Sequence, residues 1–176
     1  MAALALPLPA YQPAKALTEN QYDSPRDYSI TTSAAFTHRG NKAFVFPSRE
    51  SAYQFVVTAR QLPSWVEQTI AAYSEIQSLN DNWDSYGGKR INRDLIGSSL
   101  SILAQAMEDA SPVPAVVPLA DGGLQLEWHR KQQDLEVVFP TDDAPQFFYQ
   151  NRVTGVGQEG FASDVVTLAQ ILRKIA

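Results

Sequence analysis

Residues 115–152 read AVVPLADGGLQLEWHRKQQDLEVVFPTDDAPQFFYQNR, and the period of this stretch decides the fold. Leu124, Leu126 and Trp128 fall on one side of an alternating run; Gln125, Glu127 and His129 fall on the other. Leu135, Val137 and Phe139 repeat the alternation, and QFFYQN (146–151) closes the series. A period of two marks extended strands with one apolar and one polar face. Asp121, Gly122 and Gly123 supply a tight turn, RKQQD (130–134) a polar one, and Pro140 to Pro145 a third. The expected unit is a small antiparallel meander of three or four strands, covered on one side only.

On either side of this unit the period is helical. SWVEQTIAAYSEIQSL predicts a helix over 64–79, with Ser64 and Glu67 spaced as a capping box and Val66, Ile70, Tyr73 and Ile76 on one stripe. Asn92 is placed to cap RDLIGSSLSILAQAMEDA, which Pro112 and Pro114 stop. Ser163 is placed to cap DVVTLAQILRKI, with Asp164 at its start and Arg173 and Lys174 near its end, as the helix dipole favours. KAFVFP (42–47) reads as a short β run. Ser48 then starts a helix on Ala52, Phe55, Val56 and Ala59, and RVTGVGQEG (152–160) reads as a flexible loop. The predicted architecture is α+β: about four helices on one face of the sheet. Residues 41–176 form a single domain. Residues 1–40 are an irregular arm in which Tyr11, Tyr22, Tyr28 and Phe36 offer something to bury.

Composition narrows the function. The chain has 176 residues, 44% hydrophobic and 19% charged, enough for a core. It has no Cys, which excludes disulfides, thiolate nucleophiles and Cys-based zinc sites and suits a cytoplasmic protein. A net charge of -5 disfavours direct nucleic-acid binding, because phosphate affinity comes mainly from Lys and Arg. No apolar run is long enough for a membrane span, and Pro7 and Pro9 break the short apolar opening, which lacks the charged lead of a signal peptide.

Chemistry, if any, concentrates in LNDNWDSYGGKRIN (79–92). Asp81 and Asp84 beside Trp83 have the residue types of an acid–base pair or, with Asn82, of a divalent-metal hydrolase. As structure, the same residues make an interhelical connector: Trp83 fills the core, Asp84 accepts backbone amides, and Gly87 and Gly88 take left-handed geometry. The structural reading ranks first, a partner-binding loop second and catalysis third. Lys89, Arg90 and Arg93 suit an acidic partner or a solvated turn, and the spacing is not that of a phosphate loop. Glu127, His129 and Glu136 share the sheet's polar face and read best as exposed cross-strand neighbours. Of the aromatics Trp128, Phe139, Phe147, Phe148 and Tyr149, one set must be core, and Phe148 falls on the other side.

NWDSYGG (82–88), the helix after it, PAVVP (114–118), DGGLQLEW (121–128) and LEVVF (135–139) together resemble a loose group of small, mostly uncharacterised bacterial and phage-borne proteins. The resemblance covers roughly residues 75–175. It implies a shared α+β body and residence among toxin–antitoxin, defence and counter-defence genes, and no known active site. Ser85 departs from the group's usual Gly, and Gly88-Lys89-Arg90-Ile91 from its Gly-Ala and prolines.

These readings favour a non-enzymatic inhibitor or neutraliser, an anti-defence protein or antitoxin that occludes the surface of another protein. Its expected contacts are Trp83, Asp84, Tyr86, Lys89, Arg90 and Phe148, with no cofactor, no metal and no catalytic residue, and a homodimer is compatible. The alternatives are an assembly subunit of a larger bacterial or phage complex and a small metal-dependent hydrolase using Asp81 and Asp84.

Overall fold

The computed structural model describes residues 63–176 throughout, and residues 28–32, 41–47 and 52–59 as backbone strands. The α+β class holds, with a larger sheet and fewer helices than the sequence predicts. Ala115–Pro118 (β4), Leu124–Arg130 (β5), Gln133–Phe139 (β6), Gln146–Asn151 (β7) and Gly157–Phe161 (β8) form a five-stranded antiparallel meander in chain order. Three helices accompany it among the described residues: Ser64–Gln77 (α1), Arg93–Ala106 (α2) and Val165–Ile175 (α3).

A second sheet corrects the fourth helix. Tyr28–Thr32 (β1), Asn41–Pro47 (β2) and Ala52–Ala59 (β3) pair antiparallel in the order β1-β3-β2. The stretch expected to be helical from Ser48 is therefore a central strand over 52–59. Ala52, Phe55, Val56 and Ala59 meet helical spacing, but Tyr53, Phe55, Val56, Val57 and Thr58 are all aromatic or β-branched, and a short apolar run fits either period. Strand β1 lies inside the stretch expected to be irregular. Residues 1–27, 33–40, 48–51 and 60–62, with Tyr11, Tyr22, Phe36 and Ser48, lie outside the described residues.

Strand β8 is the second correction, because GQEGF carries no alternation. Gly160 pairs with Phe147, and a Cβ on it would meet the Phe147 ring at 2.9 Å. A glycine here lets the ring lie across the last strand, a close approach that polar composition conceals.

The core follows the two periods. Leu124, Leu126, Trp128, Leu135, Val137, Phe139, Phe147 and Tyr149 project from the meander into one buried cluster. Against them lie Trp65, Val66, Ile70, Tyr73 and Ile76 of α1, Ile96, Leu100 and Leu103 of α2, and Leu168, Ile171, Leu172 and Ile175 of α3. Two polar contacts tie it together: the Trp128 indole donates to Pro112 O at 2.8 Å, and the Tyr73 and Ser99 hydroxyls meet at 2.6 Å between α1 and α2. Burial pushes the Tyr73 phenol up, so it stays protonated.

The caps differ in detail. Asn92 caps α2 as expected, its side chain accepting from Asp94 N at 3.0 Å. Pro63 takes the cap position of α1, and Ser64 instead donates to Asp109 O at 3.3 Å. Proline suits a helix start because its missing N–H has no helical partner there. Asp164 rather than Ser163 caps α3, accepting from Thr167 N at 3.1 Å.

Candidate functional site

The loop between α1 and α2 is folded by its own side chains. Asp84 Oδ1 accepts from Tyr86 N and Gly88 N, each at 2.8 Å. Asn82 Oδ1 accepts from Gly87 N at 2.8 Å, while Asn82 N donates to Gly88 O at 2.6 Å. Asp81 Oδ1 accepts from Arg90 N at 2.9 Å, and the Arg90 guanidinium donates to Asn80 Oδ1 at 2.7 Å. Asn82, Ser85 and Gly87 have φ of 63°, 65° and 94°, so the chain reverses tightly on left-handed residues. The two backbone amides hold the Asp84 carboxyl below the usual carboxylate range.

The loop is docked on the turn between β4 and β5. Lys89 N donates to Ala120 O at 2.9 Å, and Asn92 N to Gly122 O at 2.8 Å. Ile91 is buried between these two bonds. The loop motif and the Asp-Gly-Gly turn, over thirty residues apart in sequence, are thus one structural unit.

Five of the six expected contact residues lie in this loop. Trp83 is half-buried and its indole donates to Lys89 O at 3.1 Å; it closes the loop and lies outside the core the sequence predicts for it. Asp84 faces its own backbone, Arg90 is half-buried, and Lys89 is exposed. Tyr86 is 94% exposed at the apex. The carboxylates of Asp81 and Asp84 each accept main-chain amides, and among the described residues no cluster of three His, Asp or Glu has metal-binding geometry.

Phe148, the sixth residue, belongs to a different surface: the sheet face turned away from the core. Cross-strand register aligns Ala115, Glu127, Glu136, Phe148 and Glu159 in one row over all five strands. Phe148 is 42% exposed. The adjacent row aligns His129, Asp134, Gln150 and Gly157. His129 Nδ1 lies 2.7 Å from Asp134 Oδ1, and Nε2 lies 3.2 Å from Glu127 Oε2. Asp134 is also paired with the Arg152 guanidinium, which holds its carboxyl down at about 2. Hydrogen bonds to Asp134 and Glu127 raise the imidazole. An open cavity of about 530 Å³ lies over these residues, bounded by Glu136, Phe148, Arg152 and Glu159.

The polar face of Glu127, His129 and Glu136 is where the alternation predicts it, but the partner of His129 beside Glu127 is Asp134, not Glu136. Asp134, Arg152 and Glu159 escape the sequence reading. Asp134 was within reach of it: a two-residue turn at Lys131-Gln132 forces His129 opposite Asp134. No family model, curated protein or solved structure matches the chain.

Proposed function

We propose that the protein acts by binding another protein, with the 79–92 loop as its principal contact and no chemical step. The observation that carries this reading is the exposure of Tyr86 on a loop whose Asp81, Asn82 and Asp84 side chains bond its own main chain. A tyrosine offers a large amphipathic contact area with few rotatable bonds, and a pre-folded loop loses little entropy on binding. Lys89 beside it adds an exposed positive charge. The use of Asp81 and Asp84 by main-chain amides gives no support to a hydrolase. The resemblance to phage-borne proteins favours an inhibitor or neutraliser that covers a target's surface in phage–bacterium conflict.

Site-specific crosslinking tests this. A photoreactive phenylalanine analogue at position 86 should yield one discrete adduct in bacterial lysate, and the same analogue at exposed Val166 on α3 should not. Equal, diffuse labelling from both positions would contradict a binding loop.

A further inference from the structure

Strand β8 is the outer edge of the meander: β7 flanks it on one side, and among the described residues no strand pairs with the other. Its hydrogen-bonding direction is fixed by two bonds. Asn151 N donates to Val156 O and Ala162 N to Pro145 O, each at 2.8 Å. In an antiparallel pair, bonded and non-bonded residues alternate. Gln158 and Gly160 therefore face β7, and Gly157 and Glu159 turn their N–H and C=O outward. The same alternation puts the Glu159 side chain on the open face beside Phe148.

That face has a definite charge pattern. Asp134 is neutralised by Arg152, and Glu127 is bonded to His129. Glu136 and Glu159, on either side of Phe148 in the row, have no cation within ion-pair distance among the described residues. Glu127 and Glu136 stand directly opposite each other. Like charges so placed cost stability, and a bound cation offsets that cost. An exposed aromatic ring between two carboxylates is a receptor for a guanidinium: the ring takes its face and the carboxylates its edge.

We propose that the β8 edge and the Glu136–Phe148–Glu159 row dock an extended basic segment of a partner protein as a sixth strand. Main-chain bonds to Gly157 and Glu159 give the register. Alternate Arg or Lys side chains enter the cavity over Phe148. A second copy of this chain is the poorer occupant, because two-fold pairing centred on the strand sets Glu159 against its equivalent. The inference rests on the protein-binding reading and adds a second contact to it, with its chemistry.

Fluorescence anisotropy with the full chain tests it, using a labelled Thr-Arg-Thr-Arg-Thr-Arg-Thr peptide as the probe. Three controls accompany it: the Glu-for-Arg analogue, an analogue N-methylated at alternate residues, and sedimentation of the protein alone. The Arg probe should bind and weaken with salt, and both analogues should fail. Glu159→Lys and Glu136→Lys should each weaken the Arg probe by about tenfold or more. Gly157→Pro removes one outward N–H without a charge change, and its Cβ would meet only ordinary contact at 3.6 Å. It too should weaken the probe, while the melting temperature of each variant reports folding. No binding, binding indifferent to Glu159, or a dimer that breaks with the edge variants would overturn the inference. Glu159 would then be a guard against edge pairing. A discrete adduct at position 86 with no probe binding would sink this inference and leave the binding loop standing.

Discussion

Gly122 sits so close to the loop that a Cβ on it would meet the carbonyl oxygen of Arg90 at 2.9 Å. Its φ of +92° already disfavours any other residue. The Asp-Gly-Gly turn is therefore shaped to receive the 79–92 loop, and the hydrogen bonds from Lys89 and Asn92 fix the contact. Gly122→Ala should lower unfolding free energy by about 2 kcal/mol or more, from left-handed strain and backbone collision together. Urea denaturation measures this; a loss below about 0.5 kcal/mol would mean that the docking is loose.

Trp83 and Tyr86 separate loop structure from loop function. Trp83→Phe keeps the ring and removes the bond to Lys89 O, at a cost of about 1 kcal/mol. Trp83→Ala should cost about 1–3 kcal/mol, less than the roughly 3–5 kcal/mol expected for the core residues Trp65 or Trp128. Tyr86→Ala should stay within about 0.5 kcal/mol of wild type. Thermal melts of the set give the order directly, and a Trp83→Ala loss equal to that of Trp128→Ala would restore Trp83 to the core.

The β5–β6 turn stores removable strain. Lys131 and Gln132 both have positive φ, 50° and 57°, at the two central positions of a hairpin that prefers Asn-Gly. Lys131→Asn with Gln132→Gly should raise stability by about 1 kcal/mol. Differential scanning calorimetry of the double variant checks it; a lower melting point would show that the two side chains have contacts outweighing the strain.

The His129–Asp134–Arg152 cluster predicts a pH window. Asp134 has its pKa depressed from 3.8 to about 2, so its contribution is present above 3.8 and is lost as pH falls toward 2. His129 has its pKa raised from 6.5, so its contribution is present below 6.5 and is lost as pH rises through the higher folded value. Both operate together between about pH 4 and 6.5. Melting temperatures of wild type and His129→Gln should differ most there and converge at high pH. A constant difference would show that the imidazole acts by packing alone.

Much of the C-terminal body was legible because two periods speak clearly. Alternation placed Leu124, Leu126, Trp128, Leu135, Val137 and Phe139 on the buried face, and helical spacing found Val66, Ile70, Tyr73 and Ile76. The strands at both extremes were not legible, for opposite reasons. Ala52–Ala59 is so evenly apolar that either period fits it, whereas Gly157–Phe161 is so polar and Gly-rich that neither does. Its strand state depends on Phe147, a contact between strands that local sequence does not contain. The loop's connector role followed from its Asn, Asp and Gly residues, but the half-burial of Trp83 depends on the Lys89 carbonyl and so on the completed fold.

The most direct measurement is affinity capture from bacterial lysate with wild type and Tyr86→Ala side by side, after their melting curves have been shown to coincide. The wild type should capture one stoichiometric partner, and Tyr86→Ala should lose it. A partner retained in full by Tyr86→Ala would contradict the binding loop.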